Sequence, residues 1–517
     1  MLSIGISSAV LGIEAFTVRV EVDIAEGMPF FSTVGLPDKA VQESRERVIS
    51  AIKNSGYEFT MKRITVNLAP ADIKKEGAAF DLPIALGMLA ASGQLPQASL
   101  EKYLIVGELS LDGSIRGVKG VLPITVSARD ARDARGKRFE GIIVPEANIR
   151  EASVVSDINS YPVKSLREVV EFLSGRLIKE PYRLNIEDEF AKNRNYDIDF
   201  SEVKGQGFAK RAMEIAAAGG HNILMIGPPG AGKTMLAKRL PTILPEMTLE
   251  ESIETTKIHS VIGFVNRLTG LIGTRTFRSP HHTISDIALI GGGSYPRPGE
   301  VSLAHNGVLF LDELPEFHHN ALEVLRQPLE DGIVTIARAA TSVVYPARFV
   351  LVAAMNPCPC GFFGDSRREC VCTPLQVQKY MAKISGPLLD RIDLHVEVPS
   401  VKYQELSDTG KSESSDAIRK RVQKARNIQG KRFKSAKNIY CNAHMQSSHI
   451  KKYCCFDEAG KELLKNAVEK LGLSARAYDR VLKVALTIAD LDESSVIKTS
   501  YIAEAIQYRS LDRNLWI

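Results

Sequence analysis

Apolar runs of strand length at residues 17–22, 63–68, 103–107 and 141–145 alternate with stretches of helical spacing at 39–54 and 82–92. Switching between a period of two and a period of 3.6 predicts a compact α/β domain from residue 1 to about 175. Residues 176–200 turn polar and charged and read as a linker. Between 201 and 400 three apolar runs stand out, at 220–226, 307–311 and 349–354. None alternates with polar residues, which is the pattern of parallel strands buried on both faces. From 401 to 517 amphipathic helical patterns take over, at 458–471, 475–491 and 500–508. No fixed-period repeat or low-complexity tract interrupts this order.

The chemistry sits where the buried runs end. Directly after the first comes Gly227, Pro228, Pro229, Gly230, Ala231, Gly232, Lys233 and Thr234, a complete G-x-x-x-x-G-K-[ST] loop followed by a helix over 235–240. Glycines there let backbone N–H groups curl around phosphates, and the helix points its positive end at them. Lys233 then neutralises phosphate charge, and the Thr234 hydroxyl serves Mg²⁺. The run 307–311 ends in Asp312 and Glu313. One carboxylate must stay committed to the metal, which assigns Asp312 to Mg²⁺ and leaves Glu313 to polarise the attacking water. Strand 349–354 delivers Asn356, a neutral side chain for the γ-phosphate or its water. Arg391 follows in a loop as an arginine-finger candidate, and Arg476, at the start of a helix, as a residue that closes over the nucleotide. The expected chemistry is binding and hydrolysis of ATP.

Composition narrows the setting. A chain of 517 residues has room for about three domains. It holds no uncharged apolar run of the roughly eighteen residues needed to span a membrane. The start, Met1-Leu2-Ser3-Ile4-Gly5, lacks a basic n-region and a long apolar stretch, so a cytoplasmic protein without a membrane partner is expected. Seven cysteines are too few for a disulfide framework. Four of them form two C-x-C pairs, Cys358/Cys360 and Cys370/Cys372, nine residues apart, which suits a structural Zn²⁺. His281 and His282 have no thiol or carboxylate spaced with them as co-ligands, and read as lining the nucleotide or DNA side of an insert before Asp312.

Taken together, the phosphate loop, Asp312-Glu313, Asn356, the Leu-Leu-Asp-Arg-Ile-Asp segment ending at Asp393 and the Ser-Ala-Arg-Ala-Tyr-Asp-Arg helix start resemble the magnesium-chelatase-like AAA+ ATPases. The stretches 278–285, 299–307 and 355–361 are the most specific to the ComM/YifB branch. The resemblance implies a hexameric ring ATPase using ATP and Mg²⁺. In the branch's competence member it implies a helicase that promotes branch migration on DNA during natural transformation. Alternatives are a magnesium-chelatase-type motor and an ATP-dependent regulator acting on a protein partner. The implied fold class is α/β in three parts: a Lon-protease-like α/β domain (1–175), an AAA+ P-loop core with a parallel sheet (201–400, Cys-rich insert 356–374), and a C-terminal helical lid (401–517). Residues 107–113, 141–145 and Asn148 resemble the closing half of the Lon peptidase domain, but its catalytic dyad does not carry over. Gly77-Ala78-Ala79-Phe80-Asp81-Leu82 stands where the nucleophile belongs and Leu122 where the base belongs, although Lys119 lies near.

DNA contact has two candidate sources. Residues 332–348 read as a β-hairpin with Arg338 near its tip, resembling the pore hairpin of MCM helicases, and a ring would repeat that cation once per subunit. Residues 417–452 carry eleven Lys or Arg and no Asp or Glu, which suits either salt-sensitive phosphate binding or a solvated helix face. The net charge of +5 decides neither.

Overall fold

A computed structural model describes the chain except residues 60–61, 133–135, 195, 266–268, 294, 338–341, 366, 402–411, 437–438, 510 and 512–517. The chain divides into two units, Met1–Arg194 with Leu249–Gly273, and Asn195–Thr248 with Thr274–Ile517. Among the described residues no helix is long and apolar enough to cross a membrane.

The first unit is built on seven strands: β1 (Leu2–Leu11), β2 (Glu14–Ala25), β3 (Phe30–Val34), β4 (Arg63–Ala69), β5 (Tyr103–Ile105), β6 (Gly141–Pro145) and β7 (Ser160–Val163). Their order in the sheet is β3-β4-β2-β1-β5-β6-β7. Val18, Val20 and Val22 of β2 point one way into the core, with Arg19 and Asp23 exposed between and beyond them. Helix α1 (Asp81–Ala91) packs on β1 and β2, and every one of its residues is buried. A helix apolar on all sides belongs at the centre of a domain, which explains its lack of a polar face. Asp81 opens this helix and is paired with Arg47 at 2.7 Å. Burial lifts the Asp81 pKa to about 6 despite that pairing. Leu122, on helix α2 (Val121–Asp130), is fully buried, and its amide donates to Glu151 at 3.0 Å. Ser260, beside Lys119 in a small pocket of this unit, donates its hydroxyl to the same Glu151. Helical spacing over 39–54 resolves into Lys39–Gln42 and Ser44–Asn54, divided at Glu43. Polar stretch 176–200 contains a helix, Ile186–Lys192.

The second unit holds the parallel sheet: β8 (Ile223–Ile226), β9 (Phe277–Arg278), β10 (Val308–Leu311), then a hairpin of β11 (Ile333–Ala337) and β12 (Ser342–Pro346), then β13 (Val350–Met355) and β14 (Leu394–Glu397). Among the described residues its order is β9-β10-β13-β8-β14, with every pairing parallel. Every residue of β8, β10 and β13 is buried, which accounts for the uninterrupted apolar runs. The connection leaving β8 runs to one side of the sheet and that leaving its neighbour β13 to the other, so a crevice opens beyond the carboxyl ends of these two strands. Helix α3 (Gly207–Gly219) precedes β8 and α4 (Lys233–Ile243) follows it. The lid consists of α5 (Ser415–Arg432), α6 (Glu458–Leu471), α7 (Ala475–Leu491) and α8 (Thr499–Gln507). Asp457 and Ser474 cap α6 and α7 by accepting from Gly460 and Ala477 amides.

Lid and sheet meet through a buried carboxylate. Asp393, just before β14, pairs with Arg480 of α7 and accepts from the Asn222 amide at 3.0 Å. His221 bridges Asp393 at 3.3 Å and Thr487 at 2.8 Å. Burial alone would raise the Asp393 pKa, but Arg480 and His221 outweigh it and hold the group well below the usual carboxylate range. A depressed pKa adds stability that is fully present above the unfolded-state value, about pH 4, and is lost only as pH falls through the folded value. Asp393→Ala strands the Arg480 guanidinium in the interior and should cost about 3–5 kcal/mol at pH 7. The denaturant midpoint of the intact chain measures it; a midpoint equal to wild type would remove this network from the stability of the lid.

Candidate active site

The phosphate loop leaves β8 at Gly227 and enters α4 at Lys233. Gly230 and Gly232 have φ of +78° and +90°. A Cβ on either would meet no atom within 4 Å, so left-handed backbone rather than crowding demands glycine here. Lys233 is buried, and its ammonium donates to the carbonyls of Gly227 (2.6 Å) and Pro228 (3.0 Å) and to Oδ1 of Asn356 (3.1 Å). Burial pulls its pKa down, opposed by the charges of Asp312 and Glu313. Thr234 donates its hydroxyl to Oδ2 of Asp312 at 2.7 Å. Phosphate loop, Asp312 and Asn356 therefore converge at the carboxyl edges of β8, β10 and β13, although 44 residues separate Asp312 from Asn356 along the chain.

Glu313 is held differently from its neighbour. Its backbone is left-handed (φ +54°, ψ +47°), a conformation costing a non-glycine residue roughly 1 kcal/mol or more. Two hydrogen bonds fix the turn, Glu313 N to Asp312 Oδ1 (3.0 Å) and Glu316 N to the Glu313 carbonyl (2.8 Å). The result aims the two carboxylates apart: Asp312 at Thr234, Glu313 into a half-exposed position 3.2 Å from Nδ1 of His282. His282 stacks beside His281, with ring centroids 4.1 Å apart. Sequence spacing assigned His282 no such role, because its partner lies 31 residues away and only the β9–β10 pairing brings them together.

Of the two arginines, neither stands at this edge by any contact of the described residues. Arg391 is buried, donates to the Pro387 carbonyl at 2.6 Å and pairs with Glu330. Its own carbonyl accepts from the Asn222 side chain at 3.1 Å, which places it at the amino end of β8. Four residues of strand, on the order of 13 Å, separate that end from the phosphate loop. Arg476 is exposed in the first turn of α7. Arg338 lies outside the described residues, between β11 and β12, whose register runs from Ile333↔Pro346 to Ala337↔Ser342. Within 417–452 five of the eleven cations pair with carboxylates among the described residues. Arg421 pairs with Glu214 and Glu413, Arg432 with Asp490, Arg419 and Lys420 with Asp416, and Lys424 with Glu493. Arg421, Lys424 and Arg432 thereby tie α5 to neighbouring elements.

Beside the phosphate loop is a cavity of about 550 Å³, bounded by Gln206, Phe208, Gly227 and Pro228 on one side and by Phe363, Asp365 and Arg367 on another. The thiols of Cys358, Cys360, Cys370 and Cys372 all lie within 4.8 Å of one another and can hold a metal ion.

Family models for magnesium chelatase cover most of the chain: "Magnesium chelatase, subunit ChlI" over residues 199–406, "Subunit ChlI of Mg-chelatase" over 20–148, and "Magnesium chelatase, subunit ChlI C-terminal" over 412–509. With the parallel sheet and the loop geometry, they define the molecule as a magnesium-chelatase-like AAA+ ATPase. Competence protein ComM of Haemophilus influenzae is 46% identical to it over 99% of this chain and 98% of its own. YifB of Escherichia coli is 45% identical over the same shares. The 38 kDa magnesium-chelatase subunit of Rhodobacter capsulatus is 26% identical over 39% of this chain and 56% of its own. The chain belongs to the ComM/YifB family. Membership implies ATP hydrolysis with Mg²⁺, and the residues fit: Gly230, Gly232 and Lys233 for phosphates, Thr234 and Asp312 for the cation. The cation would supply charge neutralisation between phosphates.

Proposed function

We propose that this chain is an ATP-driven DNA motor that assembles as a ring of six identical subunits and promotes branch migration in homologous recombination, as in natural transformation. The observation that carries the reading is the end-to-end likeness to a protein named for competence, 46% identical over 99% of this chain. The place of Arg391 supports the ring. With its backbone at the amino end of β8 and its guanidinium held by Glu330 and the Pro387 carbonyl, Arg391 makes no contact with its own phosphate loop, so a nucleotide it serves lies on a neighbouring subunit. The β11–β12 hairpin supports DNA contact: Val334, Ile336, Val343 and Tyr345 bury one face of its strands, and the cationic Arg338 falls between those strands in sequence. Five of the eleven 417–452 cations are taken up by carboxylates, so Arg338 is the better candidate for gripping phosphates.

ATP turnover measured with and without forked or four-way DNA tests the reading. Stimulation is expected. Indifference to DNA together with activation by a porphyrin-chelatase partner would replace the DNA motor with a chelatase-type one. Arg338→Ala should weaken DNA affinity about tenfold, since a ring loses one cation per subunit, and flatten its salt dependence. DNA-free hydrolysis should persist. Unchanged DNA affinity and unwinding would take the hairpin out of the mechanism.

A further inference from the structure

We propose that Cys358, Cys360, Cys370 and Cys372 hold one structural Zn²⁺, and that this ion fixes a wall of the nucleotide pocket, so that nucleotide affinity depends on the metal. The second half rests on the ATP-binding reading above; the first does not.

The sulfur geometry is that of a metal cage. Cys358 lies 3.3 Å from Cys360 and 3.7 Å from Cys370, and Cys360 lies 3.6 Å from Cys370. A disulfide would need about 2.05 Å. Four sulfurs at the Zn–S distance of about 2.3 Å form a tetrahedron whose edges are about 3.8 Å, close to the separations seen. Backbone amides point at the sulfurs: Phe363 N donates to Cys358 at 3.3 Å and Cys360 N lies 3.4 Å from Cys372. Such donors offset the surplus negative charge of four thiolates around a divalent ion. With all four positions filled by protein the site has no opening for substrate, which marks it as structural.

Little regular structure organises this segment beyond local turns and the Arg367 bond to the Val401 carbonyl. Among the described residues no helix or strand lies between Met355 at the end of β13 and Pro374. Pinning both ends of such a loop at one point removes much of its conformational freedom. Its position makes that matter. Gly361, with φ of +86°, turns the chain directly onto the phosphate loop: a Cβ there would come within 2.7 Å of Cδ of Pro229. Phe363, Asp365 and Arg367 then face the cavity that Gly227 and Pro228 close from the other side. Cys358 also lies two residues beyond Asn356, whose side chain holds Lys233. An ion at the sulfurs therefore stiffens the cavity wall and the Asn356 end of the loop, without touching Lys233, Thr234 or Asp312.

The test is metal content and nucleotide affinity of the full-length chain. Plasma emission should find one Zn²⁺ per chain, and protein loaded with Co²⁺ should show thiolate charge-transfer and tetrahedral d–d absorption. Cys370→Ser combined with Cys372→Ser should lose the metal and weaken Mg–ADP binding about tenfold, a typical coupling between sites. Cys370→His keeps four ligands and should keep both metal and affinity. Cys455→Ser, at an exposed thiol outside the cluster, should change neither. If the double variant does not fold, stripping wild type with a chelator and restoring one equivalent of Zn²⁺ reads the same coupling. Absence of zinc and of the Co²⁺ signature, or iron in their place, overturns the site. Zinc lost at unchanged Mg–ADP affinity overturns the wall. Zinc present in a wild-type chain that binds no Mg–ADP refutes the nucleotide reading, and the pocket half with it, while upholding the site.

Discussion

Glu313→Gln should bind Mg–ATP as tightly as wild type and hydrolyse it at least about 10²-fold more slowly, the usual contribution of a positioned general base. The two adjacent carboxylates are not interchangeable. Asp312 is engaged by the Thr234 hydroxyl, which commits it to the cation site, whereas Glu313 is turned away by its left-handed backbone and meets His282. Glutamine preserves the shape and leaves that turn intact, since both of its hydrogen bonds are made by the backbone of Glu313, one of them to Asp312. Only the ability to take a proton is removed. Lys233→Ala should act at the other step and abolish binding, because it deletes the cation inside the loop. Equilibrium binding and single-turnover hydrolysis separate the two. Wild-type turnover by Glu313→Gln would show that another group activates the water.

How much of this could be read from the chain depended on how local each signal was. Strands of the parallel sheet announce themselves because burial on both faces leaves them no polar position. The strand β1 did not, for the opposite reason. Its Ser3, Ser7 and Ser8 are buried, and Ser3 satisfies itself on the Gly87 carbonyl at 2.7 Å, so a core strand looks polar in sequence. Asp312, Asn356 and the phosphate loop were legible because each follows an apolar run, and a parallel sheet gathers the ends of its strands at one edge. His282 was not, since nothing near it in sequence names its partner. The basic stretch 417–452 left two readings open through the same locality. Glu214, Glu413, Asp416, Asp490 and Glu493, which pair with five of its eleven cations, all lie outside the window in which its charge was counted. Likewise, the grouping of Leu249–Gly273 with the first unit is a long-range fact that no periodicity carries.

Arg391→Ala should lower turnover by about 10³-fold or more at little change in nucleotide affinity, the loss seen when a guanidinium is withdrawn from a transferring phosphoryl group. Its pairing with Glu330 does not argue against that role. Glu330 is half exposed, so its carboxylate can turn to water when the guanidinium is engaged elsewhere. As a finger the arginine would act on another subunit, since its contacts lie away from its own phosphate loop, and mixing variants tests this directly. A chain with Lys233→Ala binds no nucleotide but still offers Arg391; a chain with Arg391→Ala binds nucleotide but offers no finger. Each alone should be nearly inactive. Mixed in equal amounts in a head-to-tail ring, about a quarter of the interfaces would join an intact loop to an intact finger, and activity should return in proportion. Mixtures as inactive as their components would place Arg391 in the structure of its own subunit, where Glu330 and Pro387 already hold it, and would remove the strongest structural reason for the ring.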